Sequence, residues 1–278
     1  MKKSPRMSTS ETTITNRKRL LTNDSPFAIK EAYVKLRTNL LFCMTADKKR
    51  PCKTFAITSA KPSEGKSLTA ANIAISYAML GKKVLLIDAD MRKPTQRGLW
   101  RVESSTGLCD FLANIWRLEL TKVEDLPLWI VCTGTIPPNP SELLSSERMK
   151  RFVIESGNAY DYVIIDTPPI NTVADAQIIS TYVDGVVLVT KSGDTTVDDL
   201  KEAIDSVLEL VSAFESATGI HIPFQIVDRR VGDIPVCFAS AAKAKALLGW
   251  QATRSLRDMC HDAWNWQLKN PNGFTTVE

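Results

Sequence analysis

The run Ala60-Lys61-Pro62-Ser63-Glu64-Gly65-Lys66-Ser67-Leu68 contains the triplet Gly-Lys-Ser, and its flanks decide what that triplet can do. The apolar stretch TFAITS leads into it from Thr54, and a helical pattern follows Lys66. Between a strand and a helix, such a turn is a Walker A loop. Backbone N–H groups and the helix N-terminus face phosphate oxygens, Lys66 neutralises the β- and γ-phosphates, and Ser67 Oγ ligates Mg²⁺. The nucleotide-binding segment is therefore predicted over Ala60, Lys61, Pro62, Ser63, Glu64, Gly65, Lys66, Ser67 and Leu68. Ala60 stands where the G-x-x-x-x-G-K-[ST] pattern has its first glycine, so the motif by itself also fits a solvent-exposed turn.

Two acidic motifs narrow the choice. Asp88 and Asp90 end the run KVLLIDAD, and Asp166 ends YVIIDTPP in the Walker B position. Each could serve only as a solvated strand-end cap. Three aspartates following apolar strands beside a P-loop point instead to Mg²⁺ handling at the carboxyl edge of a sheet, where ligands of open α/β folds bind. Lys66, Asp88, Asp90 and Asp166 are the candidate catalytic residues, and Ser67, Asp88 and Asp166 the candidate metal partners. Arg92 and Lys93 follow at once and could reach phosphate or substrate, Lys93 fitting a solvated loop equally well.

These residues need a scaffold, and the chain alternates the elements of one. TFAITS, KVLLID, YVIIDT and GVVLVT are unbroken apolar runs, as strands buried on both faces require. Helical patterns lie between them after Gly65, near 140–157 and near 173–181, which predicts a doubly wound α/β domain with a mostly parallel sheet. Ile29, Ala32, Leu36, Leu40 and Phe42 predict a further amphipathic helix over about 28–43. Residues 1–25, rich in Ser, Thr, Lys and Arg, read as a disordered basic arm.

The 278 residues, 44% hydrophobic and 24% charged, belong to an ordinary folded protein, and a net charge of +4 is too small for a nucleic-acid footprint. Neither a membrane span nor an export signal is legible, so a cytoplasmic protein is expected. Cys43, Cys52, Cys109, Cys132, Cys237 and Cys260 show no C-x-x-C spacing, and with His221 and His261 as the two histidines they read as reduced, partly buried thiols.

IDADMRKPTQ (87–96), TGTIPPNPSELLSS (133–146), YDYVIIDTPP (160–169), ADAQ (174–177) and DGVVLVTKSGDTT (184–196), together and in this order, resemble the bacterial tyrosine kinases of capsular and exopolysaccharide synthesis. The resemblance covers about residues 27–205. It implies Mg-ATP and Mg²⁺ as cofactors, Asp88 and Asp90 as a Walker A′ pair that orients or deprotonates a tyrosine hydroxyl, protein tyrosines as acceptors, and Lys66 on phosphate. It further implies activation by a membrane-embedded polysaccharide co-polymerase adaptor at the inner membrane face, and a possible homo-oligomer. Glu31 and Arg37 match the family's inter-subunit Glu-x-x-Arg-x-x-Arg helix, with Val34 at its middle position. A non-kinase ATPase switch similar to the partitioning ATPases is the alternative, because Lys61 occupies the place of their signature lysine. A catalytically impaired fusion product is another.

The fusion reading comes from the tail. From about Ser206 to 278 the sequence resembles the end of UDP-glucose 4-epimerase, with Arg229-Arg230-Val231-Gly232-Asp233 matching its UDP-sugar segment. The chain has neither the dinucleotide-binding glycine loop nor the Tyr-x-x-x-Lys pair that epimerase chemistry needs. A helix from about Thr196 to Phe214 followed by the strand IPFQIV is expected to replace the kinase family's last αβ unit. The five tyrosines are Tyr33, Tyr77, Tyr160, Tyr162 and Tyr182, so no tyrosine cluster follows the kinase-like part.

Overall fold

The computed structural model describes residues 16–43, 53–218 and 265. The elements are α1 (Phe27–Cys43), β1 (Lys53–Ser59), α2 (Lys66–Ala78), β2 (Val84–Asp88), α3 (Gln96–Trp100), α4 (Leu108–Leu112), β3 (Thr121–Lys122), β4 (Leu128–Val131), α5 (Pro140–Ser145), α6 (Glu147–Ala159), β5 (Tyr162–Asp166), α7 (Asp175–Ser180), β6 (Gly185–Val189) and α8 (Val197–Thr218). Two compact units part between Thr195 and Thr196, and α8 opens the second.

The sheet order is β3-β4-β2-β5-β1-β6, parallel throughout except that β3 runs antiparallel to β4. The apolar runs are explained by what covers them. Phe55, Ile57, Val84, Leu86 and Ile164 face a layer built on α2, whereas Ala56, Leu85, Ile87, Val163 and Ile165 face Leu144, Met149, Val153 and Ile179 on α5, α6 and α7. Alternate residues of one strand thus feed two cores, each large side chain contributing about 1.5–3 kcal/mol by burial. Ala70, Ala71, Ala74 and Ala78 let α2 lie close to the sheet. The doubly wound α/β expectation holds.

Some elements differ from expectation. The helix read over 140–157 is two helices broken at Ser146, whose Oγ accepts from Met149 N at 3.2 Å and so starts α6 with an N-cap. On α1, Ile29 and Ala32 are exposed, and the packed stripe is Tyr33, Leu36 and Leu40. Residues 16–25, read as part of a loose arm, are anchored. Leu21 is buried in the core, its N–H donates to Asn72 Oδ1 at 2.8 Å, and Arg17 donates to the Gly98 and Leu99 carbonyls. The helix expected over 196–214 spans Val197–Thr218, while IPFQIV and Arg229–Asp233 lie outside the described residues. Cys109 and Cys132 are buried and unbridged, burial pushing both thiols up to about 12.

The strand β4 and the helix α4 are joined by a close backbone contact. Asp110 Oδ2 accepts from Gly107 N at 2.9 Å and Thr135 N at 3.1 Å. Burial pushes the Asp110 carboxyl up, but hydrogen bonds from Thr135 and Gly107 outweigh it and hold the group below its usual range. Gly134 has φ +80°, and a Cβ there would stand 2.0 Å from Asp110 Oδ2 and 2.5 Å from Gly107 N. Gly134→Ala should therefore destabilise the fold by about 3 kcal/mol or more, through both clash and left-handed backbone. Urea unfolding of the purified variant checks it, and a midpoint equal to the parent's would refute the clash.

Candidate active site

Parallel pairing brings the acidic residues together. β5 lies between β1 and β2, and Asp88 is the register partner of Asp166, so two carboxylates leave adjacent strands side by side. Both are fully buried. The P-loop leaves β1 on the other flank of β5 and turns into α2, whose N-cap is Gly65 at φ +95°. No side chain caps this helix, so its first N–H groups are open to an anion.

Lys66 is the hub. Its Nζ lies 2.7 Å from Asp90 Oδ2, 3.6 Å from Asp166 Oδ1 and 3.2 Å from Ser67 Oγ. Burial pulls the Lys66 ammonium down, yet the charges of Asp166, Asp90 and Asp88 more than offset it and hold the group above its usual range. Burial, and then the adjacent Asp166 charge, push the Asp88 carboxyl well up. Burial raises Asp166 as well, with Lys66 opposing. Three carboxylates against one ammonium leave the site short of positive charge.

Each carboxylate is partly satisfied from one side. Asp88 Oδ2 accepts from Thr95 N at 3.0 Å and Gln96 N at 2.9 Å, the amides that start α3. Asp90 Oδ1 accepts from Lys93 N at 3.0 Å. Gln96 Nε2 bridges Asp166 Oδ2 at 2.8 Å and the Ser67 carbonyl at 3.0 Å, and its own Oε1 is fixed by Trp100 Nε1 at 3.0 Å. The remaining oxygens, Asp88 Oδ1 and Asp166 Oδ1, are buried without a hydrogen-bond donor. With Ser67 Oγ they form an all-oxygen donor set suited to a hard divalent cation. Among the described residues no three His, Cys, Asp or Glu side chains form a closed metal cage.

The loop is braced from outside. Glu64, buried, accepts from Lys61 N at 2.9 Å through Oε2 and from Thr195 Oγ1 through Oε1; Thr195 Oγ1 in turn accepts from Lys191 N at 2.7 Å. Ala60 is buried at the strand end, whereas Pro62 and Ser63 are exposed at the turn and Leu68 is half-buried on the helix. Ser63 adopts φ +70°, a left-handed conformation that disfavours a side chain.

Of the residues read from sequence, Lys66, Ser67, Asp88, Asp90 and Asp166 meet in one cluster. Arg92 is paired with buried Asp175: Nε to Oδ2 at 2.8 Å and Nη2 to Oδ1 at 3.1 Å, with Ser141 Oγ donating to the same Oδ1 at 2.6 Å. The hydrogen bond to Asp175 raises the Arg92 guanidinium above its usual range. Gln96, Asp175 and Ser141 were not picked out beforehand. Asp175 sits in the ADAQ run and Gln96 ends IDADMRKPTQ, so their only signal was membership of those segments.

Because burying Asp88 beside Asp166 destabilises its charged form, Asp88→Asn keeps the shape and both amide hydrogen bonds while removing the repulsion. The nucleotide-free variant should melt about 2–6 °C higher than the parent, by differential scanning fluorimetry. An unchanged or lower Tm would show that the pair is not strained. At Ser63, a β-branched substitute suffers more in the left-handed region, so Ser63→Val should lose about 1–2 kcal/mol in chemical denaturation while Ser63→Gly loses none.

Residues 52–217 match the AAA domain family model. The match runs past the break placed at about Ser206 from sequence. The chain is 47% identical over 175 residues to the tyrosine-protein kinase YwqD of Bacillus subtilis, covering 62% of this chain and 73% of the relative. It is 38% identical over 189 residues to the putative tyrosine-protein kinase CapB of Staphylococcus aureus, covering 66% and 81%. Among solved structures, the chimerical protein CapA2B2 superposes with a TM-score of 0.62 at 36% identity, covering 67% of this chain and 80% of that one. The kinase domain of the Escherichia coli tyrosine kinase ETK gives 0.62 at 30%, covering 73% and 82%. With a nucleotide-binding loop, a Walker B aspartate and these relatives in agreement, the chain belongs to the bacterial tyrosine-protein kinase family.

Proposed function

We propose that this chain transfers the γ-phosphate of Mg-ATP to a tyrosine of another polypeptide, in the control of capsular or exopolysaccharide synthesis. The observation that carries the reading is the pair of donorless buried oxygens, Asp88 Oδ1 and Asp166 Oδ1, set beside Lys66 and Ser67 at the mouth of an uncapped helix. Ser67, Asp88 and Asp166 would hold Mg²⁺, which supplies charge neutralisation at the β- and γ-phosphate oxygens. Lys66 binds the same phosphates from the loop side. Asp90, the least confined of the three carboxylates, orients the incoming hydroxyl or takes its proton. Gln96 fixes Asp166, and α3 fixes Asp88. Transfer of this kind depends mainly on positioning and charge, which is what these contacts provide.

The acceptor belongs to another chain, on present geometry. Tyr77 stacks on Tyr162 with centroids 3.9 Å apart, Tyr182 donates to the Leu144 carbonyl at 3.0 Å, Tyr33 accepts from Asn72 Nδ2 at 3.1 Å, and Tyr160 lies edge-on to Trp129. None of the five is exposed. Arg37, part of the helix read as inter-subunit, donates to the Ser76 carbonyl and hydroxyl at 2.7 and 3.0 Å within its own chain, so an oligomer would use other faces of α1. No helix of the described residues is long and apolar enough to cross a membrane. A membrane-embedded co-polymerase adaptor, acting from the cytoplasmic face, is the activator this reading calls for.

The test uses γ-labelled ATP, Mg²⁺ and a tyrosine-containing peptide. Label on tyrosine supports the kinase, and release of free phosphate alone supports an ATPase switch. Lys66→Met should lower transfer by at least about a hundredfold, since it removes a charge aimed at the transferred group. Transfer at the parent's rate would remove Lys66 from the mechanism.

A further inference from the structure

Beyond Asp88, between α3 and the segment that follows β4, lies a groove lined by Arg17, Pro94, Arg97, Arg101, Thr133 and Ile136, among others. Three guanidiniums line it and no carboxylate does. Arg97 and Arg101 stand four residues apart on and just past α3, a spacing at which like charges repel. Their hydrogen bonds do not relieve this. Arg97 donates to the Val102 and Glu103 carbonyls at 3.4 and 3.1 Å, and Arg17 to the Leu99 and Gly98 carbonyls at 3.4 and 2.5 Å. Carbonyls orient these groups without cancelling a unit charge. Among the described residues none of the three is in an ion pair, and Arg101 is exposed.

The groove is fastened to the reacting end of the sheet. Pro94 in its wall precedes Thr95, whose N–H holds Asp88 Oδ2, and Thr133 beneath it donates from Oγ1 to the Asp88 carbonyl at 2.9 Å. Ile136, 60% exposed, adds an apolar contact at the rim. A chain lying here would therefore run beside the carboxyl edge of the sheet, behind the wall that holds Asp88.

We propose that this groove docks the acceptor polypeptide through acidic residues flanking its tyrosine, the Arg17, Arg97 and Arg101 guanidiniums taking the carboxylates by charge-assisted hydrogen bonds. The inference rests on the kinase reading above and deepens it by naming the class of acceptor. Arginine clusters are a recurrent means of recognising acidic motifs, and the guanidinium fork matches a carboxylate. A groove walled by three guanidiniums at the sheet's edge suits an extended acidic peptide better than the flat surface of an anionic membrane.

The experiment compares two dye-labelled tyrosine peptides, one flanked by Glu and one by Gln, for binding to the full chain by fluorescence anisotropy. The Glu peptide should bind about tenfold tighter at low salt, with an advantage that shrinks as salt rises. In Arg101→Gln the ratio should fall about threefold, and in Arg101→Glu it should vanish or invert. Arg101 is exposed, so both variants keep the fold, and a thermal melt verifies that. Equal binding of the two peptides by the parent, or an unaltered ratio in Arg101→Glu, overturns the proposal. So does Arg101-dependent sedimentation with phosphatidylserine vesicles when the peptide ratio is unaltered, because the charge would then serve a lipid surface. Phosphotyrosine formation is scored separately: its absence with charge-selective binding intact strikes the kinase reading while still supporting the groove.

Discussion

Three carboxylates buried around one ammonium are the constraint on which the rest of this site is built. A buried charge is tolerated only when it is paired and hydrogen-bonded, and here the pairing is incomplete by design of the backbone. Asp88 and Asp166 stand opposite each other because β2 and β5 are parallel neighbours in register, so their Cα atoms are held at strand spacing. The fold then supplies partial compensation: Lys66 from the loop, two amides from the start of α3, and the Gln96 amide on Asp166. What is left over is a demand for a cation with hard-oxygen preference.

That demand ties stability to function in opposite directions. Each carboxylate that makes the site attractive to a divalent ion raises the free energy of the protein without one. The surrounding cores, fed from both faces of the sheet, must supply the difference. Their composition is consistent with this, since the two layers enclose the strands with buried apolar side chains from Phe55 to Ile179. The P-loop carries its own strain at Ser63, and the Glu64 link to Lys61 and Thr195 restrains the turn in which that strain is held.

How much of this was legible in the sequence follows from the range of the interactions. The long apolar strands and the helix after Gly65 could be read because burial on two faces leaves an unbroken hydrophobic run, and the cluster of Lys66, Ser67, Asp88, Asp90 and Asp166 follows from the ends of two strands and the loop that opens the helix. Short elements could not: α3 and α4 have five residues each, too few for a period to register, and β4 has four behind Pro127. For the same reason Gln96 was invisible, its role arising only when α3 folds back over Asp166. Arg92 illustrates the converse. Its position after Asp90 suggests phosphate from local spacing, and the contact with Asp175 is made across the fold by a residue far along the chain that no local pattern announces. On α1 the spacing of Leu36 and Leu40 gave two of the packed residues, whereas Tyr33 packs in place of Ile29 and Ala32, its hydroxyl accepting from Asn72 on α2, a contact no local period announces.

The tyrosines carry the synthesis one step further. A protein-tyrosine kinase with exposed tyrosines near its own site could act on itself, and its recognition surface would then be shaped to its own sequence. Here Tyr77 and Tyr162 are locked in an aromatic stack with Phe55, and burial lifts the Tyr77 and Tyr182 hydroxyls above their usual range. A phenol in that state is a poor nucleophile and cannot leave its packing without opening a core. On the kinase reading proposed above, these packed phenols do not serve as acceptors, and the acceptor is a tyrosine of another polypeptide.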